Sequence, residues 1–406
     1  MINTIMDEAN RCLKCKVPQC KKGCPISTPI PQVLTLLENS AIDQAGEMLF
    51  ENNPLSIVCS LICNHEKQCE GNCILGRKGT PINFSLIENY ISDLYLDKME
   101  FLPVRPNDKK VAIIGAGPAG ITIAITLAKK GYSVTLFDSK DKIGGVLQYG
   151  IPEFRLPKKI LARYLEILIK LGVKIRPNII IGETLSVDDL LADGYLSVFA
   201  GTGVWKPKKL GVPGESYGNV HYAIDYLSSP EAFELGGKVA ILGMGNSAMD
   251  VARTAIRKGA KEVTLIARRN QAAASAKEVT YARLDGAKFE YCKKIIEITK
   301  NGVVLDDIII DDAGNPTGTA QNPYLFEADS VIISVSQGPK DRLTSTTPEL
   351  ETNDRGLLIV DEAGKTTRRG VFAAGDVVYG AKTVVEAVNQ AKKVAQAMHE
   401  YMEANH

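Results

Sequence analysis

Between Lys110 and Asp138 the chain reads KVAIIGAGPAGITIAITLAKKGYSVTLFD. The unbroken apolar run from Val111 to Ile114 predicts a parallel strand buried on both faces. It stops at Gly115. Gly117 and Gly120 then open an apolar helix, and Ser133 to Phe137 predicts the next strand. The pattern returns at Lys238 as VAIL, then Gly243, Gly245 and Ala248, a helix to about Lys258 and a strand over 263–267. Amphipathic or apolar spacing predicts further helices over 31–38, 85–96, 161–172 and 383–398. Strands are expected at 197–203, meeting a glycine turn, and at 371–376. Residues 286–337 alternate strand and turn, with DDAGN at 311–315 as a hairpin signal. The class is α/β: a helical N-terminal region, then two Rossmann-like units.

The first repeat is G-x-G-x-x-G in the context that gives it meaning. Gly115 permits the tight turn, Gly117 leaves room for a pyrophosphate, and Gly120 lets helix and strand approach, so that phosphate oxygens meet helix N-terminal amides. Ala119 lies among those first amides. Asp138 stands 23 residues after Gly115, where a carboxylate accepts bonds from ribose hydroxyls and repels a 2′-phosphate. In the second repeat, Asn246 and Ser247 fill the variable positions of G-x-G-x-x-A. Arg268 and Arg269 follow its strand instead of an acid. Two guanidiniums suit a 2′-phosphate by charge and fork geometry. The repeats therefore read as FAD first and NADP(H) second, with NAD(H) the less favoured occupant of the second. Residues 111–128 carry no charge over a length close to a membrane span. The three glycines and Pro118 instead assign that stretch to the strand-helix unit.

A net charge of +1 over 406 residues shows no basic excess for nucleic acid or anionic membrane. The opening MINTIMDEANRC lacks the apolar core of a signal peptide, so a cytoplasmic location is expected. Eight of the nine cysteines fall before residue 75, which favours metal over disulfides. Cys12, Cys15, Cys20 and Cys24, followed by Pro25, differ by one insertion from a ferredoxin run. Cys59, Cys63, Cys69 and Cys73 form the second set. Eight thiolates match two four-iron clusters; the competing assignment is a pair of structural zinc sites, which ordinarily use two close pairs across a longer loop. Cys292 reads as a small buried hydrophobe. No cysteine lies between Cys73 and Cys292, so a flavin-linked dithiol is excluded. His65 reads as a solvated loop residue and Trp205 as a packing residue.

These motifs, RCLKCKVPQCKKGCP, VCSLICNHEKQCEGNC, IIGAGPAG, GGVLQYGIPEFRLPK, GMGNSAMD, ARR and FAAGD, carry a resemblance. Along essentially its full length the chain resembles the small subunit of glutamate synthase. The same module is similar to the N-terminal part of dihydropyrimidine dehydrogenase, to its bacterial separate-chain counterpart, and to the flavin subunit of bifurcating NADH-dependent ferredoxin:NADP oxidoreductases. The resemblance implies a glutathione-reductase-like fold with an NAD(P)H domain inserted in an FAD domain. Its divisions here are 1–105 for a two-cluster domain, 106–230 and 336–406 for FAD, and 231–335 for NAD(P)H. It implies one cluster on Cys12, Cys15, Cys20 and Cys73, and another on Cys24, Cys63, Cys69 and Glu88, the neighbour of Asn89. Cys59 is then a bystander. Further cofactor contacts are expected at Gly145, Arg155, Gly201, Thr202, Gly203, Gly375, Asp376, Thr383 and Val384. An acid at 376 suits a ribityl chain, and a helix N-terminus near Thr383 and Val384 suits a reduced flavin ring.

The function this points to is an NAD(P)H-dependent electron-transfer flavoprotein with two [4Fe-4S] clusters. No catalytic acid or base is assigned, because flavin chemistry asks chiefly for orientation and electrostatics. The remaining sequence offers no third domain for a substrate, so a partner subunit is expected to receive or supply electrons within a hetero-oligomer. A stand-alone reductase of ferredoxin or another acceptor, and a non-enzymatic iron-sulfur sensor, are the alternatives. Bifurcation is a property of some members of the family.

Overall fold

The computed structural model describes residues 2–100 and 105–405; 101–104, part of the expected 101–109 linker, lie outside them. Two compact units emerge. One holds the described residues of 1–147, 153–204 and 339–406, the other 148–152 and 205–338.

Within the first unit the N-terminal region is helical. In Ile30–Glu38 the residues Ile30, Val33, Leu34 and Leu37 are buried at a helical repeat and pack with Ala45 and Leu49 of Ile42–Asn52 and with Ile87 and Ile91 of Phe84–Lys98. Asn83 caps the last of these, its side chain accepting from the Leu86 amide at 3.3 Å.

The rest of this unit is a five-stranded parallel sheet in the order Val371–Ala373, Tyr195–Ala200, Lys110–Ile114, Ser133–Phe137, Lys174–Arg176. Its first strand in that order arrives from the C-terminal segment, so two stretches of chain separated by the second unit build one sheet. The helix Pro118–Ala128 is buried almost all round, and the helix Val384–Asn405 packs along it.

The second unit repeats the plan with Val220–Tyr222, Ser330–Ile333, Lys238–Leu242, Glu262–Ile266 and Lys288–Glu290, again all parallel. This unit takes in 205–230, which sequence reasoning grouped with the first sheet. The reason is the pairing of Val220–Tyr222 with Ser330–Ile333, a contact with no local signature. An antiparallel sheet of Lys293–Thr299, Gly302–Ile310, Pro316–Thr319 and Tyr324–Glu327 completes it. The expected hairpin at 311–315 is present, closed by the Asp311 amide on the Asn315 carbonyl at 2.9 Å.

In the first unit, thiol region and sheet region are joined by Tyr164, wholly buried, whose hydroxyl donates to the Pro54 carbonyl at 2.6 Å. Tyr164→Phe is expected to cost about 1 kcal/mol through that lost bond. A thermal unfolding midpoint below that of the wild type would register it.

Candidate nucleotide and thiol sites

The turn after Lys110–Ile114 is held by packing that only glycine allows. Gly115 has φ +101°, and a Cβ there would lie 2.4 Å from the Gly201 carbonyl oxygen; a Cβ on Gly120 would lie 1.9 Å from the Gly115 oxygen. Around Gly117 nothing would obstruct a Cβ, which leaves open space where the helix amides begin. Asp138 closes the turn: its Oδ2 accepts from the Ala116 amide at 2.6 Å and its Oδ1 from the Lys140 amide at 2.8 Å. Burial raises its carboxyl above the ordinary value and these two amides oppose the rise.

Gly145 (φ +54°) lies against this turn, a Cβ there being 2.9 Å from Gly117 Cα, and Gly144 donates to the Ala116 carbonyl at 2.7 Å. A Cβ on Gly375 would sit 3.4 Å from Ala119 Cβ. The structure therefore gathers Gly115, Gly117, Ala119, Gly120, Asp138, Gly145, Gly201 and Gly375 around one turn. Thr202 and Gly203 continue from Gly201, and Arg155 is half-buried in the same unit.

Asp376 accepts the Lys382 amide at 3.1 Å. Thr383 caps the helix Val384–Asn405 with Glu386, each side chain taking the other's amide at 3.4 and 3.0 Å. That orients the first turn of the helix, including Val384, with its free amides outward.

The second turn repeats the geometry. Gly243 (φ +136°) would place a Cβ 2.3 Å from the Ser334 oxygen, Gly245 faces open space, and Ala248 is fully buried. Gly243 donates to the Ile266 carbonyl at 2.9 Å, as Gly115 does to Phe137 at 2.8 Å. The segment after the strand folds back on the turn: Ala273 and Ala274 donate to the Met244 carbonyl, and Ser275 to Asn246 Oδ1 at 2.9 Å. Ser247, Arg268 and Arg269 are exposed beside it.

The thiols line two neighbouring cavities in the first unit. Cys12, Cys15, Cys20 and Cys73 line one, with Leu13, Pro18, Ile30 and Ile74. Cys24, Cys59, Cys63 and Glu88 line the other, with Asn53, His65 and Val385. Cys69 borders both. Cys59, outside the ligand set that the resemblance implies, is buried on the wall of the second cavity one helical turn from Cys63. One reading changes here: His65 is buried there and not a solvated loop residue. Nothing local marked it. Glu88 lines this cavity, while Asn89 donates to Ser60 Oγ at 3.0 Å.

Burial pushes the Cys20 thiol up to about 11 and raises Cys12. Burial, then Glu88 and Glu70, raises Cys69. Cys63 is held up by the hydrogen bond it shares with Cys59 and by burial, and Glu88 is raised well above the carboxylate range by burial, then by Cys59 and Glu70. Walls that disfavour the anions of Cys12, Cys20, Cys63, Cys69 and Glu88 fit a positively charged metal group, which stabilises thiolates together. Among the described residues no group of three or more His, Cys, Asp or Glu is arranged to hold a single metal ion. Soft donors spread round a wall suit a cluster that gives each iron its own ligand.

Comparison with known proteins agrees with this geometry. A family model described as pyridine nucleotide-disulphide oxidoreductase matches residues 109–391, and one described as dihydropyrimidine dehydrogenase domain II, 4Fe-4S cluster, matches 2–100. The glutamate synthase [NADPH] small chain of Azospirillum brasilense is 34% identical, covering 98% of this chain and 89% of its own length. The chain belongs to the glutamate synthase small-chain family. Another relative in that family's company is the NAD-dependent dihydropyrimidine dehydrogenase subunit PreT of Escherichia coli, 33% identical over 98% of this chain and 94% of its own. As a member of that family the protein is an NAD(P)H-dependent flavin and iron-sulfur oxidoreductase. Among solved structures, Mycobacterium tuberculosis FprA in complex with NADPH gives a TM-score of 0.61 at 18% identity, over 73% of this chain and 85% of that one. Thioredoxin reductase of T. acidophilum gives 0.57 at 24% identity, over 73% and 99%. Both share the fold. Among the described residues no helix is long and apolar enough to cross a membrane.

Burial raises the Asp376 carboxyl to about 6 from 3.8, with Glu386 adding to the rise and the Lys382 amide opposing it. A proton held more tightly in the folded state stabilises that state in acid only, and the contribution is lost as pH climbs through about 6. In flavin-free protein, Asp376→Asn should therefore gain stability relative to wild type between about pH 4 and 6, with a constant difference above. Thermal midpoints across that range test it; a difference independent of pH would refute it.

Proposed function

We propose that this chain is the electron-entry subunit of a larger oxidoreductase. It takes reducing equivalents from NADPH in its second unit and delivers single electrons through the first. The observation that carries this reading is Val385. It belongs to the first turn of the helix whose N-terminus is assigned to the flavin ring, and it also lines the second thiol cavity. One helix thus borders both redox sites of the first unit.

When bound, FAD accepts a hydride and parts with electrons singly, and [4Fe-4S] clusters relay them. The residues do the rest. The amides after Gly117, with Ala119 and Gly120, would hold the pyrophosphate, and Asp138 the ribose. Gly145, Gly201 and Gly375 keep the turn clear of side chains, and Asp376 would orient the ribityl chain. The capped helix start at Thr383 and Val384 directs its positive end toward the site of developing negative charge. In the second unit, Gly243, Gly245, Asn246, Ser247 and Ala248 form the equivalent cradle. Arg268 and Arg269 would engage a 2′-phosphate. Cys12, Cys15, Cys20 and Cys73 would hold one cluster, and Cys24, Cys63, Cys69 and Glu88 the other. The relatives are named as chains or subunits of larger enzymes, which supports a partner subunit as the destination.

Anaerobic addition of NADPH to the native-source protein should bleach the flavin band, and a second polypeptide should co-purify. A colourless or unresponsive protein would refute the assignment. Arg268→Ala with Arg269→Ala should raise KM for NADPH by about 10- to 100-fold, as loss of a charge-assisted phosphate contact does, and leave NADH unaffected. Glu88→Ala should lower iron content by about four per chain, on the basis of one four-iron cluster, whereas Glu88→Gln should retain most of it. Equal iron in wild type and Glu88→Ala would remove Glu88 from the ligand set.

A further inference from the structure

Two of the thiols in the second cavity are met by side-chain groups that can donate to sulfur. The Thr28 hydroxyl lies 3.2 Å from Cys24 Sγ, and Asn52 Nδ2 donates to the same hydroxyl oxygen at 3.2 Å. Cys59 shares a hydrogen bond with Cys63 and takes another from the side chain of Asn53. Asn53 Oδ1 is occupied by the Leu55 amide at 3.0 Å, which leaves the Nδ2 side for the sulfur. Thr28, Asn53 and Cys59 are buried, and all three line the cavity with Cys24 and Cys63. The two asparagines are neighbours at the end of Ile42–Asn52, where Lys392 donates to the Asn52 carbonyl at 2.7 Å. The first cavity is furnished differently: Cys12 and Cys20 are approached by the backbone amides of Lys14 and Lys21.

The direction of these bonds follows from the ligand set proposed above, on which this inference rests. A cysteine that binds iron does so as the thiolate and has no proton to give. Cys24 and Cys63 must then accept, so the hydroxyl proton of Thr28 and the thiol proton of Cys59 are directed at them. Asn52 and Asn53 donate to the oxygen and the sulfur of those two groups, which fixes each donor from behind. A reduced cluster carries one more negative charge than an oxidised one, and a proton held against a ligating sulfur favours the reduced state. We propose that Thr28 and Cys59, held by Asn52 and Asn53, are positioning residues that raise the reduction potential of the cluster on Cys24, Cys63, Cys69 and Glu88 and so bias an electron toward the second cavity. The step balances as one electron taken up, with no proton transferred and no iron–sulfur bond broken.

The experiment uses the full chain with its clusters in place, titrated anaerobically with redox mediators and followed by low-temperature electron paramagnetic resonance. Glu88→Gln should alter one of the two reduced-cluster signals and so mark the one that belongs to the second cavity. Thr28→Val and Cys59→Ala each remove a donor, whereas Thr28→Ser and Cys59→Ser each keep one. Each removal should lower the midpoint of the marked signal by about 59 mV, the equivalent of a tenfold change in a one-electron equilibrium. The other signal should stay in place, with about eight irons per chain, and both serine variants should titrate close to wild type. A marked midpoint unmoved or raised in either removal variant would overturn the proposal, as would equal shifts of both signals or serine variants that behave as the removals do. Loss of about four irons from Cys59→Ala while Thr28→Val keeps them would make Cys59 an iron ligand and likewise overturn it. Wild type holding only about four irons per chain, or Glu88→Gln leaving both signals unchanged, would instead sink the ligand assignment on which the inference stands.

Discussion

The first unit depends on how the helix Val384–Asn405 is fixed, and one half-buried ammonium group contributes to that. Lys392 donates to the Glu51 and Asn52 carbonyls at 2.9 and 2.7 Å, at the C-terminal end of Ile42–Asn52. Those are the unpaired carbonyls that a helix end presents, and a cation is the favourable partner for them. Burial lowers the Lys392 pKa, with Glu51 opposing, so the contact operates where water screens it less. Because the same helix packs along Pro118–Ala128, its placement also sets the distance between the glycine turn and the thiol region.

That helix makes the second thiol cavity a shared boundary. Burying several thiols and a carboxylate against Ile30, Phe84 and Val385 is unfavourable for each anion alone, which is why every resolved shift in the set except that of Cys59 runs upward. The cost is acceptable only where the groups act together on a cationic centre. The helical core around Leu34, Leu49 and Ile87 therefore serves to hold donors in place more than to gain stability from them.

The two mononucleotide units show how little must change to change the ligand. Both turn at a positive-φ glycine whose amide donates to the last residue of the neighbouring strand, and both leave the middle glycine facing open space. They part company just beyond that strand. Asp138 bonds back to the Ala116 amide and completes the loop, whereas Arg268 and Arg269 remain exposed while Ala273, Ala274 and Ser275 do the folding back. An acid committed to the turn and cations left available are different uses of one architecture.

Much of this was legible from sequence, because its signals are local. Period-two and period-3.6 burial, glycines that must adopt positive φ, and the acid or base after each strand are dictated within a few residues by sterics and solvation, so the glycine turns and the 311–315 hairpin could be placed before any coordinates. Most helix ends missed by only a residue or two, but the C-terminal helix runs on to Asn405, well past the expected 398. What only the tertiary structure decided were pairings between distant residues: Val220–Tyr222 joining the second sheet, Cys59 and His65 entering the second cavity, Glu88 lining it while Asn89 bonds to Ser60, and Val385 reaching it from the start of the C-terminal helix. A cysteine reads alike in a sequence whether it lines a cavity or merely fills space. Only the packing of helices, set by many weak contacts at once, determines which way it points.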